Sequence, residues 1–412
     1  MKKQKRFSRL KGAITAGIQA YRGWSLASGD SALLGLFGGM ETGSGVYVSE
    51  ESAMRLAAVF ACIQKISRTV AQIPLHVLKK DGRGGRAHAI EHPLFYLLHR
   101  QPNRNMTSYQ FRQMMQAGVT ARGNAVAKVI RDNAGRVSEI IPMPADRVRF
   151  ELAGNSLRYH FLEGSKEIPW PAENVLHLRG LVTDGLLGMS PIRAARETIG
   201  EGIAAQNFGA GFYKRGLAPS FALIHPGKLG QEAVGNIKNS LEEAYAGHQK
   251  AHKVMVLEEG MELKPVGISP EDAQWIETRR FNREEIAAIF DLPPHMIGSL
   301  ERATFNNIEQ MSLEFVLYSL SPWLINWEQQ LLISLFTESE REIYEVKFNV
   351  DGLLRGDAKS RWEAHWKAFQ CGAKSPNEIR GLENMNPREG GDFYYVPQNL
   401  TSGGETPKGD EG

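Results

Sequence analysis

Cysteine is nearly absent: Cys62 and Cys371 are the only two in 412 residues. Thiols so far apart in sequence make no disulfide framework, and two are too few for a structural zinc site. A reducing compartment is the natural reading. Long apolar runs are lacking as well. No stretch reaches the roughly 18 to 20 apolar residues that a spanning helix needs, so no membrane partner is expected. Lys2, Lys3, Lys5, Arg6, Arg9 and Lys11 do precede a short apolar run, but Thr15, Gly17 and Gln19 break it, and it makes a poor export signal. Nor is there a charge excess. Forty-nine Lys+Arg against 46 Asp+Glu leave +3, which excludes a polycation built to grip nucleic acid.

Catalytic signatures are missing in turn. There is no G-x-x-x-x-G-K-[ST] to cradle a nucleotide, no H-E-x-x-H and no G-x-S-x-G. Gly209, Gly211 and Gly216 imitate a phosphate loop, but they fall within or at the end of a helical stretch, where packing is the better explanation. His88, His92 and His99 are interrupted by Pro93 and lack an acid or cysteine to complete a metal set, so they read as exposed or capping residues. The adjacent acids Glu242/Glu243 and Glu284/Glu285 point different ways on a helix and make poor acid/base pairs. No catalytic residue, cofactor or metal ligand is assigned. The pattern argues against an enzyme.

What is present is enough chain for two to three domains with ordinary globular composition. Residues 1–48 are rich in Gly, Ser and Ala around Leu33, Leu34, Leu36 and Phe37, and read as a flexible arm; residues 401–412 read as a flexible tail. From Ser49 an apolar-faced helix is expected as far as Pro74. A strand over Leu75–Leu78, two further helices and a series of short alternating runs with hairpin turns at 132–135 and 153–155 then give a small, mostly antiparallel α+β unit. Ser190 and Pro191 open a helix to about Arg215 that carries Gly200, Gly202, Gly209 and Gly211. Each glycine costs up to about 1 kcal/mol relative to alanine, so such a helix needs close neighbours. Strands at Phe221–Ile224 and Lys253–Leu257 flank another helix. Ser269, Pro270 and Asp272 then start a long helix that Pro293 and Pro294 stop. It carries Glu277, Arg279, Arg280, Arg283 and Glu284, a mixture that suits an ion-pair lattice better than a phosphate clamp. Trp275 and Phe281 read as buried packing, and so does the Trp362, Trp366, Phe369 face. A second long apolar helix to about Phe336 contains Pro322, which predicts a kink. A strand over 343–350 and a helical end follow.

Four strings carry a more specific signal: SPIRAARETIG from Ser190, KVMVLEEGMELKPVGISPEDAQWIETRRFNREEIAAIFDLPPHMIG from Lys253, FNNIEQ from Phe305 and NEIRGLENMNPREGGD from Asn377. In these strings and in element order, residues 50–400 resemble the portal (head–tail connector) proteins of long-tailed, lambdoid-type bacteriophages. The resemblance implies a ring of identical subunits, commonly twelve, at one vertex of the virion capsid, assembled in the host cytoplasm. Double-stranded DNA would pass through it non-specifically during packaging and ejection. It implies docking of the terminase large subunit, a major capsid or scaffolding protein and a head-completion or adaptor protein.

Carried onto this sequence, the α+β fold becomes an α/β wing (49–189), a stem helix (190–215), a small α/β clip (216–268) and a second stem helix (269–291). A tunnel loop (292–306), a long kinked helix and strand returning to the wing (307–350) and a helical crown (351–400) complete it. Gly298, Ser299, Leu300, Glu301, Arg302, Ala303 and Thr304 would form the part of the loop that meets DNA, with one acid and one base nearly cancelling. Arg279, Arg280, Arg283, Glu277 and Glu284 would face the channel or a neighbouring subunit. The alternative from another class is a metal-dependent nuclease or other enzymatic subunit of the packaging machinery, which would need a convergent acid cluster.

Overall fold

The computed structural model describes residues 23–25, 42–81, 85–153, 156–164, 166–215, 221–245, 260–265, 270–298, 311, 313–350, 358–383 and 385–395. The chain divides into two compact units, residues 1–348 and 349–412. The expected strand at Lys253–Leu257, the cap at Ser269 and the tail 401–412 lie outside the described residues.

In the first unit the described residues form a set of helices and four small antiparallel sheets. Helix α1 (Glu50–Met54) starts in a reciprocal capping box between Ser49 and Ser52. The single helix expected from Ser49 breaks at Leu56, whose backbone is extended, and restarts as α2 (Ala57–Gln72). Val59, Cys62, Ile63, Ile66 and Val70 form its buried stripe. That burial pushes the Cys62 thiol up to about 12, so it behaves as a small apolar group rather than a nucleophile. Pro74 ends the helix, and β2 (Leu75–Lys80) pairs with β3 (Arg86–His88) on one side and β12 (Tyr344–Phe348) on the other. The expected strand over 343–350 is therefore shorter, because a helical turn, α10 (Glu338–Ile343), occupies its approach.

Helix α3 (Pro93–His99) is capped by the His92 ring, which accepts from Leu94 N–H at 3.2 Å. Helix α4 (Ser108–Arg122) packs on α2 and carries a buried arginine. The Arg112 guanidinium is satisfied by the carbonyls of Ile73 and Ser108, and burial lowers its pKa to about 10. Strand β4 (Asn124–Arg131) is central in a second sheet, between β5 (Val137–Pro142) and β9 (Val175–Arg179). A third sheet runs β1 (Gly23–Ser25), β6 (Val148–Ala153), β7 (Ser156–Glu163), β8 (Lys166–Trp170). Two parts of the expected N-terminal arm thus carry structure: Gly23–Ser25 pairs with β6, and Thr42 is buried. Between the sheets Phe150, Phe161, Tyr159, Val148 and Val126 make one apolar cluster.

The returning helix closes this unit. Residues 315–320 form a π-helical turn, and Ser321 N–H bonds Val316 C=O five residues back. Helix α9 (Ser321–Leu335) follows at once, with Pro322 in its first turn. Proline has no N–H to give, and the wider turn preceding it accommodates the missing bond. Trp327, 1% exposed, donates its ring N–H to Gln116 Oε1 at 2.8 Å and meets Phe111 edge-on. Through β9 and β12, α9 joins two of the sheets.

The second unit contains α11 (Ala358–Gln370) and α12 (Pro376–Leu382), the latter started by a Ser375–Glu378 capping box. Glu383 receives His365 at 3.0 Å and Arg361 at 2.8 Å. Trp362 and Trp366 are 46% and 59% exposed, so the expectation that they are core does not hold. Helical periodicity identifies a face, but not whether the chain itself covers it.

Candidate functional site

The two helices singled out in the sequence lie together and are held by a joint built from glycine. Helix α4 ends at Gly123 in the left-handed region, φ +76°. Gly188 comes so close that a Cβ on it would lie 1.9 Å from the Gly123 carbonyl oxygen, and a Cβ on Gly123 would lie 2.1 Å from Met189 O. Only hydrogen fits at either place. Three hydrogen bonds cross this contact and a fourth closes the loop beside it. Gly180 N–H donates to Gly123 O at 2.8 Å and Met189 N–H to Leu181 O at 2.7 Å. Asn124 donates to Gly188 O at 2.6 Å and accepts from Gly188 N–H at 2.9 Å.

Beneath it His177 Nε2 meets Asn124 Oδ1 at 3.0 Å, and the His177 Nδ1 meets the Tyr159 hydroxyl at 3.1 Å. Burial, and secondarily Arg179, lowers the pKa of His177 to about 3, so the network is held by a neutral imidazole. Ser190 then donates its hydroxyl to Ala121 O at 3.0 Å and caps α5 (Pro191–Ala194). After a break at Ala195, α6 (Arg196–Arg215) departs from this anchored point.

Helix α6 carries its glycines where neighbours touch it. A Cβ on Gly200 would meet Thr42 at 2.7 Å, and one on Gly202 would meet Asn282 Oδ1 at 2.4 Å and Leu56 at 2.9 Å. Asn282, 7% exposed, lies on α8 (Pro270–Ile289) and donates to Thr198 O at 2.8 Å. The glycine-rich pattern thus marks close neighbours, as expected, but at Gly200 and Gly202 these are the side chains of Thr42, Leu56 and Asn282 rather than a second backbone, and Asn282 carried no local signal. Between the two helices, β10 (Phe221–Ile224), α7 (Gln231–Tyr245) and β11 (Glu262–Pro265) form a small insertion in which the two strands pair antiparallel.

Asn282 and Ile286 bury one face of α8, and at about 100° per residue Arg280 and Glu284 stand opposite. These two form an i,i+4 ion pair at 3.4 Å. Such a pair contributes about 0.3–0.5 kcal/mol, so the charges have little to do with holding the helix. Glu277, Arg279 and Arg283 are exposed as well. Phe281 is 61% exposed, contrary to the expectation of buried packing, and Phe208 on α6 is 55% exposed. The Trp275 side chain lies outside what the structure describes.

Helix α8 closes with Leu292 N–H on Ala287 O and Asp291 N–H on Ala288 O, the paired bonds of a Schellman ending, with Asp291 at φ +54° where glycine is usual. The turn Pro294–Ile297 follows and packs on α2, and Gly298 has φ +93°. Ser299, Leu300, Glu301, Arg302, Ala303 and Thr304 lie outside the described residues. Among the described residues no group of three or more His, Cys, Asp and Glu is placed to hold a metal ion, and the nuclease alternative draws no support.

The comparisons with known proteins agree with one another. The family model described as "Phage portal protein" matches residues 57–384. The chain is 31% identical over 361 residues to the portal protein of Enterobacteria phage HK97, covering 85% of this chain and 84% of that protein. It is also 31% identical to the probable portal protein of Streptomyces phage phiC31, over 90% of this chain and 84% of that one. In fold it is similar to a chain in the neck of a native gene transfer agent (GTA) particle computed with C12 symmetry. There the TM-score is 0.55, with 23% identity over 82% of this chain and 94% of that chain. With the family model spanning most of the chain and two relatives above 30% identity over most of its length, this chain belongs to the phage portal protein family, a family of structural rather than enzymatic proteins.

Proposed function

We propose that copies of this chain form the ring-shaped channel at one capsid vertex through which double-stranded DNA enters and leaves the virion. Family membership over most of the chain supports this reading. The observation that carries it is the glycine-notched pair of helices, α6 and α8, that hold an insertion at one end and lead into a proline-stopped loop. In a ring, copies of the pair stand side by side around the hole. Phe208 and Phe281, solvent-facing in the single chain, are then available to neighbouring copies, and the 12-fold neck of the GTA particle supports twelve subunits.

In this reading residues 49–189 are the wing, 190–215 and 269–291 the stem, 216–268 the clip, 292–306 the tunnel loop, 307–350 the return to the wing and 351–400 the crown. The chain conducts DNA rather than hydrolysing nucleotide. A strongly cationic lining would hold a duplex that carries about one charge per 1.7 Å. The interleaved Glu277, Arg279, Arg280, Arg283 and Glu284 instead give stem charges that nearly balance. The clip would meet the terminase large subunit or a head-completion protein, and the wing a major capsid or scaffolding protein.

Electron microscopy of the purified full chain tests the ring, with annular particles expected and a monodisperse monomer counting against it. Deleting 298–304 tests the loop: rings should still form while packaging or DNA retention falls. An unaltered phage yield removes that role.

A further inference from the structure

A cleft in the first unit lies apart from the two helices and the loop proposed for the channel. Its volume is about 620 Å³, and it opens between the β7/β9 surface and the end of α9 with the segment that follows it. Arg131, Arg179 and Arg341 line it, with Glu173 the only acid among the lining residues. What makes the three guanidiniums unusual is their partners. Arg131 donates to Asn174 Oδ1, Gly135 O and Ser334 O. Arg341 donates to Phe336 O and Ile333 O, and Arg179 to Gly185 O and Leu186 O. All of these acceptors are neutral. Among the described residues none of the three forms an ion pair. Asp184 lies near Arg179, but it is outside the lining and its Oδ1 accepts from Leu186 N–H and Leu187 N–H.

The arginines are therefore held in place by amide and carbonyl oxygens rather than by a hydrogen-bonded carboxylate. Neutral acceptors fix the orientation of a guanidinium without using its attraction for an anion. Each of the three also keeps N–H groups beyond those used in these bonds, since a guanidinium has five. Between them the cleft wall is apolar, with Leu157, Val175, Ile333 and Phe336. A bare oxyanion would leave that wall unused. A DNA duplex, roughly 20 Å across, does not enter a space of this size, which lies in the range of small-ligand pockets.

We propose that this cleft is a docking site for a peptide segment in which carboxylate side chains alternate with apolar ones, supplied by a protein that assembles against the wing. The acids would take the free forks of Arg179 and Arg341, and the apolar residues would cover Ile333 and Phe336. The rigid setting lowers the entropic cost of binding, and the charge complementarity speeds encounter.

The test uses the full chain as purified and a fluorescein-labelled twelve-residue peptide of alternating Glu and Leu, with a Gln/Leu peptide as its match. Anisotropy should show binding by the Glu peptide and none by the Gln peptide, with Arg179→Gln weakening binding tenfold or more and Arg179→Lys less. Arg341→Gln should act in the same direction. In wild type, the Glu peptide should protect Arg179 and Arg341 from phenylglyoxal, read by mass spectrometry, which keeps the test valid if a variant misfolds. Equal binding of the two peptides, or no protection of either arginine, overturns the proposal. So does displacement of the peptide by inorganic phosphate at low millimolar concentration, or by a 20-base-pair duplex, because these would make the cleft a simple oxyanion site or a DNA site.

Discussion

Replacing Gly188 with alanine tests the joint from which α5 and α6 depart. The added methyl would lie 1.9 Å from Gly123 O and 2.8 Å from Gly180 N, both backbone atoms that no rotamer change can move aside. The two segments must separate, and three hydrogen bonds cross the contact. At about 1 kcal/mol net for each, with part of the set surviving by adjustment, the loss comes to roughly 2–3 kcal/mol. For a domain of this size a kilocalorie corresponds to about 2–4 °C, so the melting transition should fall by on the order of 10 °C. Gly235→Ala is the control. It sits within α7 with nothing within 4 Å of its would-be Cβ, and it should stabilise its helix by up to about 1 kcal/mol. Circular dichroism melting gives the first comparison. Amide exchange at Gly180 and Met189 then localises the opening. If Gly188→Ala melts within a degree of Gly235→Ala, the joint is not the close-packed device described here.

Three further outcomes follow from the same geometry. His177 is held neutral with its pKa depressed to about 3, so its contribution is complete above its ordinary value near 6.5 and is lost as the pH falls from there toward 3, at about 1.4 kcal/mol per unit. A His177→Asn variant should be less stable at pH 7 yet show a shallower acid decline in urea titrations between pH 6 and 4; an unchanged slope refutes the assignment. Gly202→Ala should gain about 1 kcal/mol in helix propensity but lose more, because its methyl meets Asn282 and Leu56, and overpacking of that kind costs about 1–3 kcal/mol. Net destabilisation by calorimetry, with fewer rings in negative-stain images, is expected, and a gain in stability contradicts it. Asp291→Gly should stabilise the end of α8 by about 0.5–1 kcal/mol, because the φ of +54° strains an L residue. A loss of stability in the same measurement would mean that the Asp291 side chain contributes something the backbone does not.

Much of this fold is legible locally. Ser49 and Ser190 each cap a helix where the sequence announces one, although each helix breaks within two turns, and the turn at 132–135 closes the hairpin it signals. Gly200 and Gly202 announce a close neighbour because their cost in an isolated helix has to be offset somewhere. Contacts between distant segments leave no such trace. Gly123 and Gly188 are 65 positions apart, and either alone reads as an ordinary turn glycine. The arginine-lined cleft is equally silent, since its three arginines come from separate elements and their neutral partners are mostly backbone. Periodicity marks an apolar face but not whether that face is covered. Phe281, Trp362 and Trp366 carry a core-like pattern and stand in solvent.

The π turn at Phe315–Leu320 couples two things that are usually independent, the length of a connection and the compass bearing of what it connects. One additional residue is wound into that turn, so deleting a single solvent-facing position such as Leu317 would let an ordinary α-helix form. The residues immediately before it, such as Leu313 and Glu314, would then turn by about 100° and shift by about 1.5 Å relative to α9. A shortened or lengthened segment at residues 299–310 could therefore be re-aimed by gain or loss of this one residue, without disturbing the Trp327 anchor below it. Sequences that differ in the span of that segment are the place to look for compensating changes in the turn.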